Sequence, residues 1–287
     1  MESLKKTAKR LSIISIAAFV VIFLAISAYG NSSTEKELKS AKKIPENKQE
    51  NGAFSVKAGF HIHTGDDVID NLSYSTYDLI DTAKKMNFDA IALTFHENVL
   101  EHEKYERYAE YAADKNILLI RGIEADIEGK DVVILNCPEN AEDIKNFEEL
   151  REYKKQNPQI FVFAPHPFVP DSKSLFQLLE KNIDIFDAIE LSIFSNETFN
   201  FNEKAEKIAE KYNKQLIATA DVHFQGMLNR GYVILNVEEK TPEKIFQRIK
   251  SGKIENRLDP LTPEEMFAHK IKFSYIWRAV SSAVLEK

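Results

Sequence analysis

Residues 76–96 read TYDLIDTAKKMNFDAIALTFH. Leu79, Ile80, Ala83 and Met86 recur at helical spacing over 76–87, and DAIALT, 89–94, is an apolar run of strand length. His96 stands just beyond that run. A helix, a buried strand and a metal-ligand type of residue at the strand's carboxyl end thus arrive in one block. The same order of elements continues on both sides. Apolar strands are predicted at 57–61, 117–123, 131–136, 160–164, 188–192, 215–220 and 232–236, and helices at 101–116, 141–156, 172–181 and 203–212. A helix at 243–251 is opened by Thr241 as cap and Pro242 at its first position, and 262–286 reads as a further helix. Strands alternating with helices make a parallel sheet covered by helices, either a closed barrel or a doubly wound sheet. No internal repeat is present, and no G-x-G-x-x-G follows a strand, which weighs against a dinucleotide-binding domain.

The whole chain narrows the chemistry. Its 287 residues suffice for one domain of barrel size or two smaller ones. A net charge of −7 argues against long nucleic acids as partners, since phosphate backbones call for a basic face. Cys137 is the sole cysteine, which excludes an intramolecular disulfide and a cysteine-rich zinc module. A transition metal here must be held by His, Asp and Glu.

The amino terminus reads as a separate object. Lys5, Lys6, Lys9 and Arg10 lie in a basic segment, 1–10, and 11–30 carries no charge. At ~1.5 Å per residue such a run crosses a ~30 Å hydrocarbon core. The basic flank is expected in the cytoplasm, which makes 11–30 a transmembrane anchor and places the rest outside, as a single-pass cell-membrane protein. The rival reading is a cleaved signal peptide ending near Ala28-Tyr29-Gly30. Residues 31–53, polar and lysine-rich, form a flexible linker.

Of the seven histidines, His61, His63, His96, His166 and His223 fall at carboxyl ends of predicted strands. In a parallel barrel those ends share one rim, where active sites are built. Glu124, Asp131 and Asp221 fall at the same rim. Because strand residues i and i+2 share a face, His61/His63 and Asp221/His223 can each project two ligands into one mouth. Imidazoles and carboxylates are the ligand set of zinc, manganese or iron. His102 and His269 lie in helical segments and read as surface residues.

The ordered set His61-Ile62-His63-Thr64, Thr94-Phe95-His96, Gly122-Ile123-Glu124, His166-Pro167 and Asp221-Val222-His223 resembles the motifs of the polymerase and histidinol phosphatase (PHP) domain family, over about residues 54–258. The resemblance implies an α/β fold, a distorted (β/α)7 barrel of TIM-barrel type at 54–260; the helical pattern beyond it makes 261–287 a C-terminal helical extension. The resemblance also implies two or three divalent transition-metal ions. His61, His63, Glu124 and Asp221 would bind one ion. Glu124 would bridge to a second, completed by His166 and Asp131. His96, His223 and an acid after the first strand (Asp67, or Asp66 or Asp70) would hold a third. The chain departs from the family pattern at Asp131, where many members carry His, and at Phe95, where an acid is usual. It also lacks Ser-Asp-Gly after the first motif. The amidohydrolases share the opening His-x-His, but no lysine ends a middle strand here and the last motif is Asp-x-His.

Clustered divalent ions suit phosphoester hydrolysis, because they make hydroxide available near neutral pH and bind the phosphoryl oxygens as charge builds. The expected activity is that of a metal-dependent phosphatase or phosphodiesterase for a small phosphorylated substrate. Asp221 is the candidate to move the proton of the attacking water and Arg230 the candidate phosphate-facing base. A non-catalytic metal-binding or interaction domain, or a hydrolase of a non-phosphate bond, are the alternatives.

Overall fold

The computed structural model describes residues 53–70 and 72–266. The segments 1–10 and 11–30, most of the linker, His269 and most of the C-terminal extension lie outside the described residues. Among the described residues no helix is long and apolar enough to cross a membrane.

In chain order the elements are β1 (Phe54–Gly59), α1 (Thr76–Lys85), β2 (Ala90–His96), α2 (His102–Ala113), β3 (Leu118–Ile127), β4 (Lys130–Leu135), a 3-10 turn (Glu139–Asp143) and α3 (Phe147–Gln156). They continue with β5 (Phe161–Ala164), α4 (Gln177–Lys181), β6 (Ala188–Ser192), α5 (Asn202–Tyr212), β7 (Gln215–Thr219), β8 (Gly231–Val237), α6 (Pro242–Lys250) and β9 (Ile254–Leu258). Local chemistry sets several boundaries. A capping box opens α1, Ser75 accepting from the Asp78 amide and Asp78 from the Ser75 amide. Thr241 caps α6 with Pro242 at its start, as the sequence predicts.

The strands form one sheet in the order β7-β6-β5-β4-β3-β2-β1-β8-β9. It is not the all-parallel sheet of the sequence reading. Strands β1–β3 and β5–β7 pair in parallel, but β4 is antiparallel to both neighbours, and β8 and β9 are antiparallel additions beyond β1. The reason for β4 is its connection. Only Glu128 and Gly129 separate it from β3, with φ of 54° and 78°, a hairpin turn too short for a crossover helix. The reversal leaves β5 running with β3 and brings the first residues of β4 to the carboxyl end of β3.

The sheet curls until its ends nearly meet. Ile62, past β1, bridges Val222, past β7, in parallel. A Cβ on Gly231 would sit 2.1 Å from the Thr219 carbonyl oxygen, so β8 can press this close to β7 only without a side chain there. Asn256 of β9 substitutes for a neighbouring strand. Its Oδ1 accepts from the Ala218 amide at 2.7 Å and its Nδ2 donates to the Leu216 carbonyl at 2.9 Å. Alternate strand residues, among them Val56, Ala58, Ala92, Val133, Phe161, Phe163, Ala188, Ile217 and Val233, pack as one buried cluster. The opposite faces (Ile123, Ile134, Val162, Ile189) pack with Phe147, Leu150, Leu179, Ala205 and Ala209 of the helices. Two apolar layers, one on each side of the sheet, are what hold a barrel covered by helices.

Candidate metal centre

The first and last motifs are joined through the backbone. The His63 amide donates to the Val222 carbonyl at 3.0 Å and the Val222 amide to the His61 carbonyl at 3.1 Å. Ile62 and Val222 are buried in packing, and the alternation about Ile62 turns His61 and His63 toward one mouth, which Asp221 and His223, flanking Val222, share. The Tyr74 hydroxyl clamps the joint, donating to the His63 carbonyl at 2.6 Å. Asp221 and His166 have φ of 45° and 26°, left-handed values that cost non-glycine residues about 1–3 kcal/mol and cluster where geometry serves a site.

Three groups of ligand atoms result, each lying within 4.8 Å. The first is His61, His63, Glu124 and Asp221, with His61 Nε2 3.1 Å from Glu124 Oε2 and 3.4 Å from Asp221 Oδ1. The second is Glu124, Asp131 and His166, with His166 Nε2 3.1 Å from Glu124 Oε1. The third is His63, Asp70, His96 and His223, with His223 Nε2 3.1 Å and His96 Nδ1 3.4 Å from Asp70 Oδ2. Glu124 therefore faces the first group with one oxygen and the second with the other.

These residues fit metal ions by a direct test. His61 Nε2, His63 Nε2, Asp70 Oδ2, Glu124 Oε2 and Asp221 Oδ1 are all buried and none has a hydrogen-bond partner among the described residues. Buried polar atoms are almost always paired, because leaving one unpaired costs about 1–3 kcal/mol. Here five converge, imidazole nitrogens facing carboxylate oxygens. The electrostatics agree. Burial alone would push His61, His96 and His166 down, yet the Glu124 carboxylate, with Asp221 or Asp67 and Asp70, outweighs burial and lifts each to about 10. Burial likewise opposes ionisation of Glu124 and Asp221, and the surrounding histidines hold both well below the usual carboxylate range. A field that draws protons so strongly onto imidazoles draws cations by the same charge.

The three aspartates left open by the sequence separate cleanly. Asp70 joins the third group. Asp67, buried, instead accepts from His63 Nδ1 at 3.0 Å, His96 Nδ1 at 3.0 Å and the His96 amide at 2.9 Å, so it orients two of that group's rings. Asp66 is committed to Thr76, Tyr108 and Lys104. Glu124 lies inside β3, which runs three residues beyond it, and Asp131, the second residue of β4, lies at the same rim. His102 is on the surface of α2 beside Glu106. Arg230 is not among the grouped residues. Its guanidinium pairs with Glu265 at 2.8 Å and faces Asp259 at 3.7 Å, an arrangement that ties the strand-end loop to the C-terminal segment. One polar residue escaped the sequence reading. Glu190 on β6 is fully buried and lies 3.0 Å from His61 Nδ1. The available signal was a lone carboxylate inside the apolar run AIELS.

The PHP domain family model matches residues 60–257. No curated protein matches the chain. Among solved structures, the chain is similar to a two-domain protein from Bacteroides vulgatus containing a predicted PHP-like metal-dependent phosphoesterase, at TM-score 0.57 and 20% identity, over 76% of this chain and 69% of that one. It is similar to the lesion-specific endonuclease PfuEndoQ from Pyrococcus furiosus at TM-score 0.54 and 16% identity, over 72% of this chain and 60% of that one. PsfC from Pseudomonas syringae follows at TM-score 0.51 and 14% identity, over 79% of this chain and 98% of that one. At these identities the likeness is one of fold.

Proposed function

Because the chain belongs to the PHP domain family, we propose that it is a metal-dependent phosphoesterase acting on a small phosphorylated substrate. The observation that carries this reading is the convergence of five buried ligand atoms without partners on one barrel rim. His61, His63, Glu124 and Asp221 would hold one ion, Glu124, Asp131 and His166 a second, and Asp70, His96 and His223 a third. Three divalent ions would balance the carboxylates of Asp67, Asp70, Glu124, Asp131, Glu190 and Asp221 with the imidazoles neutral. When bound, zinc, manganese or iron ions supply water activation and neutralise the charge that grows on the phosphoryl oxygens.

The chain's own residues supply the rest. Glu124 sets the spacing of the first two groups by facing both. Asp221 is kept ionised by the positive charge around it, its histidines in the metal-free chain and the ions once bound, the state required to accept the proton of the attacking water. The net charge of −7 favours a compact phosphate ester over a long polyanion. The uncharged run 11–30 with its basic flank supports a single-pass anchor, a linker over 31–53, the catalytic domain over 54–260 and its display outside the cytoplasmic membrane.

The test is elemental analysis of the purified full-length chain with a screen of phosphomonoesters, phosphodiesters and single-stranded DNA. Turnover of small esters with bound metal supports the reading. Turnover of DNA alone moves the substrate to nucleic acid. Less than about one ion per chain, with no turnover under any added metal, overturns it. Protease added to intact cells should reach the domain, and protection until lysis overturns the display.

A further inference from the structure

Glu190 lies in the middle of β6, opposite Ile217 of β7. It is 0% exposed. Its Oε2 stands 3.0 Å from His61 Nδ1, and its Oε1 has no hydrogen-bond partner among the described residues. The Thr219 hydroxyl, on the neighbouring strand, is also buried without a partner among the described residues. A half-satisfied carboxylate inside a barrel destabilises the fold, and an apolar or amide side chain would pack there at less cost. Packing therefore does not explain it. What it touches does. The His61 ring is fixed on other sides by Phe163, edge-on at 6.1 Å, and by His166, stacked at 5.6 Å. Its Nε2 is the atom that faces Glu124 and Asp221.

We propose that Glu190 is a positioning residue for His61. By accepting the Nδ1–H it selects the tautomer that leaves the Nε2 lone pair aimed at Glu124 and Asp221, and it adds negative charge behind the ring, which strengthens the nitrogen as a donor. A carboxylate behind a ligating imidazole typically accounts for 10–100-fold in metal affinity. The inference rests on the proposed first ion position, which includes His61. Its hydrogen bond is to His61, so its main effect falls on that position; the His166 ring of the second group feels its charge as well.

The experiment titrates metal-stripped full-length chain with Mn²⁺ alone, and separately with Zn²⁺ alone, against a competing chelator. Wild type, Glu190→Leu and Glu190→Gln are compared. Glu190→Leu removes the acceptor and should weaken one ion 10–100-fold while the others lose far less. Glu190→Gln keeps an oxygen that can accept the same hydrogen and should recover most of the affinity. In the metal-free state Glu190→Leu should melt no lower than wild type, whereas a structural role would lower that melting temperature. If Leu prevents folding, the isosteric Gln carries the test through a smaller, severalfold loss at the same single ion. Equal affinities in all three proteins, or an equal loss at every ion, overturns the assignment, as does a wild type that binds no metal. A wild type that binds metal but hydrolyses no ester removes the proposed activity and leaves the Glu190 assignment standing.

Discussion

Strand β1 and its extension bury two kinds of polar side chain four residues apart, and the two are treated oppositely. Lys57 is buried, but its ammonium donates to the Met86 carbonyl and the Asn229 side chain, and it sits 4.1 Å from the ring centroids of both Phe88 and Tyr232. Burial pulls its pKa down to about 8 against the opposing pull of Asp89. His61 and His63 are as deeply buried, yet each presents an Nε2 that has no hydrogen-bond partner among the described residues. The lesson is one of completeness. A buried polar group whose partners are all supplied by the chain belongs to the architecture. A set whose missing partners point at one another marks a place for something from outside.

The largest consequence falls on the incomplete side. Stripping metal from the loaded protein should destabilise it by ~2.7 kcal/mol for each ion held at a hundred times its Kd. For a domain of this size that is about 5–10 °C in Tm per ion, measured by thermal denaturation with and without chelator. A melting curve indifferent to chelator and to added Mn²⁺ or Zn²⁺ would erase the distinction drawn along β1. Next in size is Glu124→Gln, which removes the carboxylate shared by two groups. Ester turnover should fall ~10³-fold, on the scale of losing a dedicated electrostatic contact, with the circular dichroism spectrum unchanged. Wild-type rates in that variant would show that the shared carboxylate has no part in catalysis.

The complete side can be tested by pH. The folded pKa of Lys57, about 8, lies below its ordinary 10.5, so between these values the unfolded chain binds more protons than the folded one. Stability from this group therefore rises with pH through that window, by up to ~3 kcal/mol. The difference in unfolding free energy between wild type and Lys57→Met, followed by urea melts from pH 7.5 to 10.5, isolates it from other titrations. A difference that stays flat, or moves in favour of the variant as pH rises, shows that the ammonium is not confined as its contacts indicate.

The incomplete side was the more legible in sequence. His61, His63, His96, His166, Asp221 and His223 were found because strand alternation and strand ends are local patterns, and local patterns survive folding. What was missed depended on tertiary surroundings. The reversal of β4 lay in a two-residue turn, Glu128-Gly129, read as part of a parallel array. Strand β9 alternates Glu255 and Arg257 with half-buried residues, and its pattern is that of an edge. The helix expected over 172–181 shrinks to 177–181, because the Ser174 hydroxyl donates to the His166 and Val169 carbonyls and Phe176 adopts a φ of 47°. The helix expected at 141–156 begins only at Phe147, capped by Asn146. Asp66, Asp67 and Asp70 are equivalent in sequence, and only the fold of their loop assigns each its partners. Glu190 and Lys57 were hidden by their apolar neighbours, although a charge inside a buried strand is itself the anomaly.

The smallest expected effect tests how exchangeable one member of the incomplete set is. Asp131 sits at the start of β4, its amide donating to the Lys173 carbonyl at 2.9 Å, and burial with the nearby Glu124 charge raises its carboxyl to about 7. Its ionised form is therefore the least favoured of the carboxylates facing His166 and Glu124. Asp131→His exchanges a strained anion for a neutral nitrogen donor of the kind the sequence pattern also accommodates. Two effects oppose one another: the second group loses a negative charge, which weakens any cation, and it gains an imidazole, which suits zinc better than manganese. Turnover should stay within about tenfold of wild type, ~1.4 kcal/mol, while the preferred metal shifts from Mn²⁺ toward Zn²⁺ in parallel titrations. His102→Ala, on the exposed face of α2, is the control and should change neither. A loss from Asp131→His as deep as that from Glu124→Gln would mean that charge, and not donor count, governs the second group.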